Sequence, residues 1–435
     1  MSIPTLQGLQ TALSGLLAEQ QAMDIAGHNI ANANTEGYSR ERVVLETNPP
    51  IDIPALSPLT GRGAQLGTGV GVATYTRIRN AYLDAQYRTQ NSALSGSAAE
   101  AEELQQAQAA FNEPSSSGIA SQLSKFWAAW SSLANSPETG RPGVVAAGEQ
   151  LASSLKQVNS QLETIATQAG EQYESLTGPT GEVQDYAKQV AELNGQIKLA
   201  EEAGQKPNDM LDRRDLLLDK LSSFAQVTVT QQPNGTDTVS FGDAAKPLVE
   251  GTTVNWPQTL TAAAGGQLGA LLNLTSPTGA LASYQAALDG VAADLAESVN
   301  ALHTSTPFFS GTTAATLAVA VTPQEVQTSS TEAAGGNDVA LAIAALRGGS
   351  ADQGYSALIE RVGGDVKTAQ DEEANHQTSV TAIGNQRMSV SGVSLDEEMT
   401  NLISFQRGYQ ASARTLTAMD EMLETLIEHT GTAGL

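Results

Sequence analysis

Both ends of the chain carry apolar residues at alternating steps of three and four. At the start, Leu6, Leu9, Leu13, Leu16, Met23 and Ile30 keep this spacing across residues 4–32, with Gln20 and Gly27 at the two remaining positions. Near the end, Leu395, Met399, Leu402, Tyr409, Ala413, Leu416, Leu423 and Ile427 repeat it, with Gln406 and Asp420 as polar members. A heptad stripe of this kind predicts a helix that buries one seam against a partner helix. Neither stretch is long enough to hold a helix firmly by itself in water. The two helices are therefore expected to pair with each other or with other subunits. Phe405 and Met419 belong to the same expected interface. Ser394 followed three residues later by Glu397 reads as a reciprocal capping box opening the last helix.

Between these ends the chain changes character several times. Residues 38–47 read as extended, with Val43, Val44 and Leu45 as strand formers. Residues 48–71 read as loop, because Pro49, Pro50, Pro54 and Pro58 oppose regular structure and five glycines follow. A short strand is expected over 70–79. Helices are predicted over 80–111, 117–134, 142–176, 181–203 and 208–224, separated by Pro114, Asn135-Ser136-Pro137, Gly178-Pro179 and 204–207. From Gln226 the pattern becomes strand-like: Val227 and Val229, then Pro233-Asn234-Gly235, then Val239 and Phe241 read as a β-hairpin. Residues 248–256 offer a further strand. Helix returns over 267–302, 339–346 and 352–384, and residues 304–337 fit no regular pattern. The expected fold is mainly α with a small inserted β domain.

Composition narrows the function classes. The 435 residues include 22 basic and 47 acidic side chains, a formal charge of −25, and no cysteine. Phosphate neutralisation needs clustered Lys and Arg, so a nucleic-acid partner is not expected. The same charge opposes docking on an anionic membrane. No apolar run approaches the roughly 20 residues of a spanning helix, so membrane insertion is not expected. The first ten residues show no cleavable secretory signal. Zero cysteine excludes disulfides, thiolate metal sites and thiol catalysis.

Catalytic signatures are missing as well. His28, His303, His376 and His429 form no HExxH pair, and neither a GxSxG elbow nor a GxxxxGK[ST] loop occurs. Asp212, Asp215 and Asp219 share one helical face, beside Arg213, Arg214 and Lys220. That pattern reads as a solvated, salt-bridged face rather than an acid–base site. Phe126, Trp127 and Trp130 read as core anchors rather than a ligand groove. An enzyme site in the β insert would rest on Asp237, Asp243 and Glu250 alone, without a histidine. No catalytic, cofactor-binding or metal-ligating residue is assigned, and no cofactor is expected.

The run HNIANANTEGYSR at 28–40 resembles the N-terminal signature of the flagellar rod, hook and hook-associated axial proteins. Its motif residues here are Asn29, Asn32, Asn34, Thr35, Gly37 and Tyr38. The run VSGVSLDEEMTNLISFQRGYQASARTLTAMDEMLETLI near the other end resembles the partner signature. GTGVGVATYTRIRNAYLDAQYR, LSKFWAAWSSLANSPETGRPGVV, PNDMLDRRDLLLDKLSSFAQVTV and LAESVNALH narrow the resemblance to the hook-associated protein 1 family. One departure is that Thr304 to Pro307 lead directly to Phe308-Phe309, where the family usually carries a longer Gly-rich stretch.

The resemblance implies a structural role and no enzyme activity. It implies an adaptor at the hook–filament junction, exported unfolded by the flagellar type III system and secreted to the flagellum after a cytoplasmic stage. Its implied partners are further copies of itself, the hook protein, the second junction protein, and an export chaperone on the C-terminal helix. The terminal helices, disordered in the free monomer, would order as a coiled coil on assembly. Nested domains follow: 1–47 with 388–435, 70–225 with 267–387 as a helical bundle, and 226–266 as an outer β domain to which 304–337 is a candidate addition. The alternative is another axial protein, a hook or distal-rod subunit.

Overall fold

The chain is described by a computed structural model that defines residues 4–53, 64–331 and 335–430, without the side chains of 4–6, 52–53, 64 and 429–430. The Leu6 side chain, Pro54, Pro58 and the glycines at 61 and 63 therefore lie outside the described residues.

The first helix, α1 (Pro4–Asn32), leads through a turn into β1 (Glu41–Thr47). A short arm, β2 (Ile51–Ile53) and β3 (Ala64–Leu66), follows before β4 (Val70–Arg77). β1 and β4 pair antiparallel, as do β2 and β3. The expected structureless loop is thus corrected. Its prolines flank a three-residue strand on either side, so ladder donors are removed only at its ends.

Five helices come next: α2 (Ala81–Phe111), α3 (Ile119–Asn135), α4 (Arg141–Thr177), α5 (Glu182–Glu202) and α6 (Asn208–Phe224). Asn80 caps α2 by accepting from the Tyr82 and Leu83 amides. The sheet follows as β5 (Val227–Gln231), β6 (Asp237–Phe241), β7 (Asp243–Glu250) and β8 (Thr253–Val254), all antiparallel neighbours in sequence order. The expected helix over 267–302 is two helices, α7 (Gly266–Leu274) and α8 (Ala280–Leu302). Pro277 lies in the gap between them, where a missing amide and a fixed φ do not continue a helix. The remaining elements are β9 (Phe309–Ser310), β10 (Ala318–Val319), α9 (Asp338–Ala344), α10 (Ser350–Ser391) and α11 (Leu395–Thr430). The fold is mainly α with a small β module. No helix among the described residues is long and apolar enough to cross a membrane.

Two apolar cores hold the middle. The first joins α2, α3, α4, α8, α9 and α10. Phe126, Trp127 and Trp130 sit at its centre as anchors. Trp130 packs edge-on against Phe308 at 5.3 Å, and the Trp127 indole donates to Asp352 at 2.9 Å. Residues 304–337 contribute Phe308, Phe309, Leu317, Val321 and Val326 to this core. The second core lies between the sheet and α5, α6 and α7, with Val239, Phe241 and Leu248 against Val190, Leu218 and Phe224. The two ends of the chain return to one place: α1 lies along α11, and α10 runs back along α2.

Candidate functional site: the terminal helix pair and its joint

Asn29 is the centre of the joint. It is 1% exposed, and its side chain makes four hydrogen bonds. Its Nδ2 donates to the Glu41 carbonyl at 2.9 Å and to Glu398 Oε2 at 3.1 Å. Its Oδ1 accepts from the Glu41 amide at 2.9 Å and from the Tyr38 hydroxyl at 2.8 Å. One residue thus ties α1, β1 and α11 together. Burial, followed by the charges of Glu41, Asp209, Asp212 and Glu398, pushes the Tyr38 phenol far up, so it keeps the proton it donates.

The other motif residues build the turn that brings β1 into place. Asn32 Nδ2 donates to the His28 carbonyl, and Thr35 Oγ1 donates to Asn32 Oδ1. Asn34 is exposed. Gly37 has φ +80°, and a Cβ there would lie 3.0 Å from Leu216 on α6. Both its left-handed backbone and its close approach favour glycine.

Along the helix pair, the contacts form an antiparallel register. A Cβ on Gly8 would lie 2.7 Å from Met419 Cε, one on Gly15 would lie 3.2 Å from Ser412 Oγ, and one on Gly408 would lie 2.6 Å from the Glu19 carboxylate. The Asn29–Glu398 hydrogen bond completes the series, since each step up α1 matches an equal step down α11. The seam on α1 is made of Gly8, Ala12, Gly15, Ala22 and Ala26, and Phe405 lines the groove beside Ala22 and Ala26. The leucine stripe predicted as the seam is therefore one residue out of register. Leu9, Leu16, Met23 and Ile30 flank the seam half-buried, as do Leu402, Tyr409, Leu416 and Leu423 on α11. Leu13 is 42% exposed, and Leu395 and Met399 are 50% exposed. Small residues win the centre because they let two helix backbones approach closely, which leucines do not allow. The capping box is also half-formed: Ser394 Oγ accepts from the Glu397 amide at 3.5 Å, but the Glu397 carboxylate turns to Arg40 Nη1 at 2.6 Å.

Below the joint lies a charge cluster that overturns the expected solvated face. Asp212 is buried, while Asp215 and Asp219 are half-buried. Their partners are not Arg213 and Lys220, which are exposed, nor Arg214, which turns to Asn194 and Asp237. Instead Arg77 on β4 bridges Asp212 at 2.7 Å and Asp215 at 3.0 Å. Arg88 on α2 bridges Asp215 at 3.1 Å and Asp219 at 2.8 Å. Arg387 on α10 joins Asp219 and Asp84, each at 2.8 Å, and stacks over the Tyr87 ring at 4.3 Å. Arg79 holds Asp84 at 2.8 Å, and the Ser39 amide donates to Asp212 Oδ2 at 2.8 Å. Burial alone would raise the Asp215 carboxyl, but Arg79, Arg88 and Arg77 outweigh it and hold it below its usual range. Sequence reasoning missed these arginines. Arg77 and Arg79, two residues apart at the end of a strand, were the signal. The arrangement is a clamp between the entry hairpin and the bundle.

Comparison with known proteins adds relatives along the chain. A family described as "Flagellar hook-associated protein FlgK helical domain" matches residues 104–263. One described as "Flagellar basal body rod FlgEFG protein C-terminal" matches 385–428, and "Flagella basal body rod protein" matches 9–38. The chain is similar to flagellar hook-associated protein 1 of Bacillus subtilis (strain 168), with 28% identity over 508 aligned positions covering 99% of each chain. It is also similar to flagellar hook-associated protein 1 of Escherichia coli (strain K12), with 27% identity over 66% of this chain and 48% of that one. Here the match spans about half of the relative's length. The solved structure of the flagellar hook junction protein FlgK from Burkholderia pseudomallei matches 52% of this chain and 44% of that chain, with 27% identity and a TM-score of 0.44.

Proposed function

We propose that this chain, which belongs to the FlgK family of flagellar hook-associated proteins, is a structural adaptor at the hook–filament junction of the bacterial flagellum. The observation that carries the reading is how α1 and α11 divide their residues. Glycines and alanines serve the pairing within one chain. Leu13, Leu17, Leu395, Met399, Ile403 and Met422 stay between 42% and 56% exposed on the same two helices. A monomer seldom leaves so much apolar surface on one element without a partner for it. Neighbouring copies set side by side around the axis would cover it, and a contact whose rotation does not close builds a helical array.

In this reading residues 1–47 with 388–435 form the axial unit, 70–225 with 267–387 the helical bundle, and 226–266 a β domain outside it. Leu9, Leu13, Leu16, Met23 and Ile30 face the assembly together with Leu395, Met399, Leu402, Tyr409, Leu416 and Leu423, while Phe405 and Met419 pack in the seam between α1 and α11. The motif from Asn29 to Tyr38 joins the axial unit to the next layer. As a member of a flagellar structural family, the protein is expected to assemble with other axial proteins. Its neighbours would be the hook protein below and the second junction protein above. Export through the flagellar type III system, with a chaperone on the C-terminal helix, would precede assembly.

Deleting the first ~30 or the last ~40 residues, the span of the heptad stripes, tests this reading. Each truncated chain should remain soluble with a folded middle yet fail to restore filaments in a strain lacking the protein. Restored filament growth would sink the reading. Immuno-electron microscopy separates it from a hook or rod subunit: the label should sit at the hook tip and not along the hook.

A further inference from the structure

Where α1, β1 and α6 meet, three side chains come together that the clamp does not use. A ring nitrogen of His28, a carboxylate oxygen of Glu41 and a carboxylate oxygen of Asp209 lie within 4.8 Å of one another. We propose that His28, Glu41 and Asp209 form a divalent transition-metal site, of the kind that takes zinc or cobalt, pinning α1 and β1 to the first turn of α6. The three ligands come from separate segments and form no motif, so the sequence assigned no metal here.

The hydrogen bonds of the joint fix the state of the histidine. Asn29 Oδ1 accepts from the Glu41 amide, so its orientation is settled, and Tyr38 must donate its single proton to that oxygen. Tyr38 lies 3.1 Å from His28 Nδ1 and has no second proton to give. Therefore Nδ1 carries the hydrogen and donates it to Tyr38. In the neutral ring the free lone pair is on Nε2, the nitrogen left able to bind a cation. A metal-binding histidine almost always donates its other N–H in this way, which sets its tautomer and ring orientation.

The local charge balance points the same way. Glu41 is 7% exposed, and a buried carboxylate needs a cationic partner or a metal. The nearby arginines are committed elsewhere: Arg40 to Glu397 and Glu398, Arg77 to Asp212 and Asp215. One imidazole with two carboxylates suits zinc-like ions, whereas magnesium and calcium prefer all-oxygen sets. Ligand atoms about 2.0–2.2 Å from one ion lie less than about 4.4 Å apart. Asp209 is exposed, so a small rotation of its side chain closes the trio and leaves a path from solvent.

The test uses the full chain, stripped with chelator and titrated with Co²⁺ and Zn²⁺. The unaltered chain should take up one Co²⁺ with a visible d–d band, melt higher with Zn²⁺, and shift its His28 ring resonances. Asp209→Asn and His28→Gln should each bind at least about tenfold more weakly, and His429→Gln should bind as the parent does. Asp209 is exposed, so Asp209→Asn is expected to keep the metal-free melting curve and to decide the matter even where His28→Gln folds poorly. Failure of the parent chain to bind one equivalent, or unchanged binding in Asp209→Asn, overturns the proposal.

Discussion

Two side chains concentrate the energetics of the joint, and they do so differently. Asn29 is neutral and fully matched, with two donor and two acceptor contacts. Asn29→Ala leaves the Glu41 amide and carbonyl without partners in a dry place, and should cost about 2–4 kcal/mol in urea unfolding. Asp215 is charged and shared by Arg77 and Arg88, with Arg79 also nearby. Asp215→Asn leaves those guanidiniums undercompensated and should cost about 3 kcal/mol or more. Its pH dependence follows from the direction of the shift. The folded carboxyl titrates below its unfolded value, so its contribution is complete above the ordinary carboxylate range, near pH ~4. It disappears as pH falls through the lowered folded value. Urea midpoints of parent and Asp215→Asn should therefore converge on acidification, and a gap that stays constant down to strong acid would contradict the assignment.

Some helix ends were legible from a local rule, whereas Pro277, an equally local breaker, was passed over in the helix expected across 267–302. Asn80 capped α2 as its side chain demanded, and α6 began and ended where its proline and its strand-forming successor required. The choice of seam was not legible in the same way. A hydrophobicity pattern weights Leu over Ala and Gly, whereas the packing distance between two helices weights the reverse. Leu9 and Leu16 therefore drew the stripe to one side of Gly8 and Gly15. The acidic face of α6 was misread for a related reason. Its arginines lie on β4, α2 and α10, distant in sequence, and no local charge pattern reports them. The distinction between the two stripes makes an element-level prediction. Ala22→Leu overpacks the seam and should destabilise the monomer by about 1–3 kcal/mol. Leu13→Ser lies on the exposed side and should change monomer stability by about 0.5 kcal/mol or less, yet reduce filament formation. If both substitutions acted only on stability, the two faces would not have separate tasks.

At the scale of the whole molecule, the charge of −25 opposes close approach of copies that the exposed leucines favour. Surface charges are screened over roughly 10 Å at 0.1 M salt, so added salt weakens the repulsion and leaves the apolar attraction in place. Self-association measured by sedimentation should rise with ionic strength. A fall would mean that attractive ion pairs, not apolar surface, join the copies. The pairing of α1 with α11 has one more consequence, and it concerns time. Met419 and Gly8 are neighbours in space and stand almost at opposite ends of the chain. A ribosome, which delivers the chain from its first residue, therefore presents α1 long before its partner exists. The contact with the greatest loop to close is the last that can form, and closing so long a loop in a free chain is slow. The bundle shortens that loop beforehand, because α10 runs back along α2 and sets the two ends side by side. The middle of the molecule thus acts as a clock for its ends: once the bundle has folded, the loop left to close between α1 and α11 is short, so the terminal pair is favoured to form late.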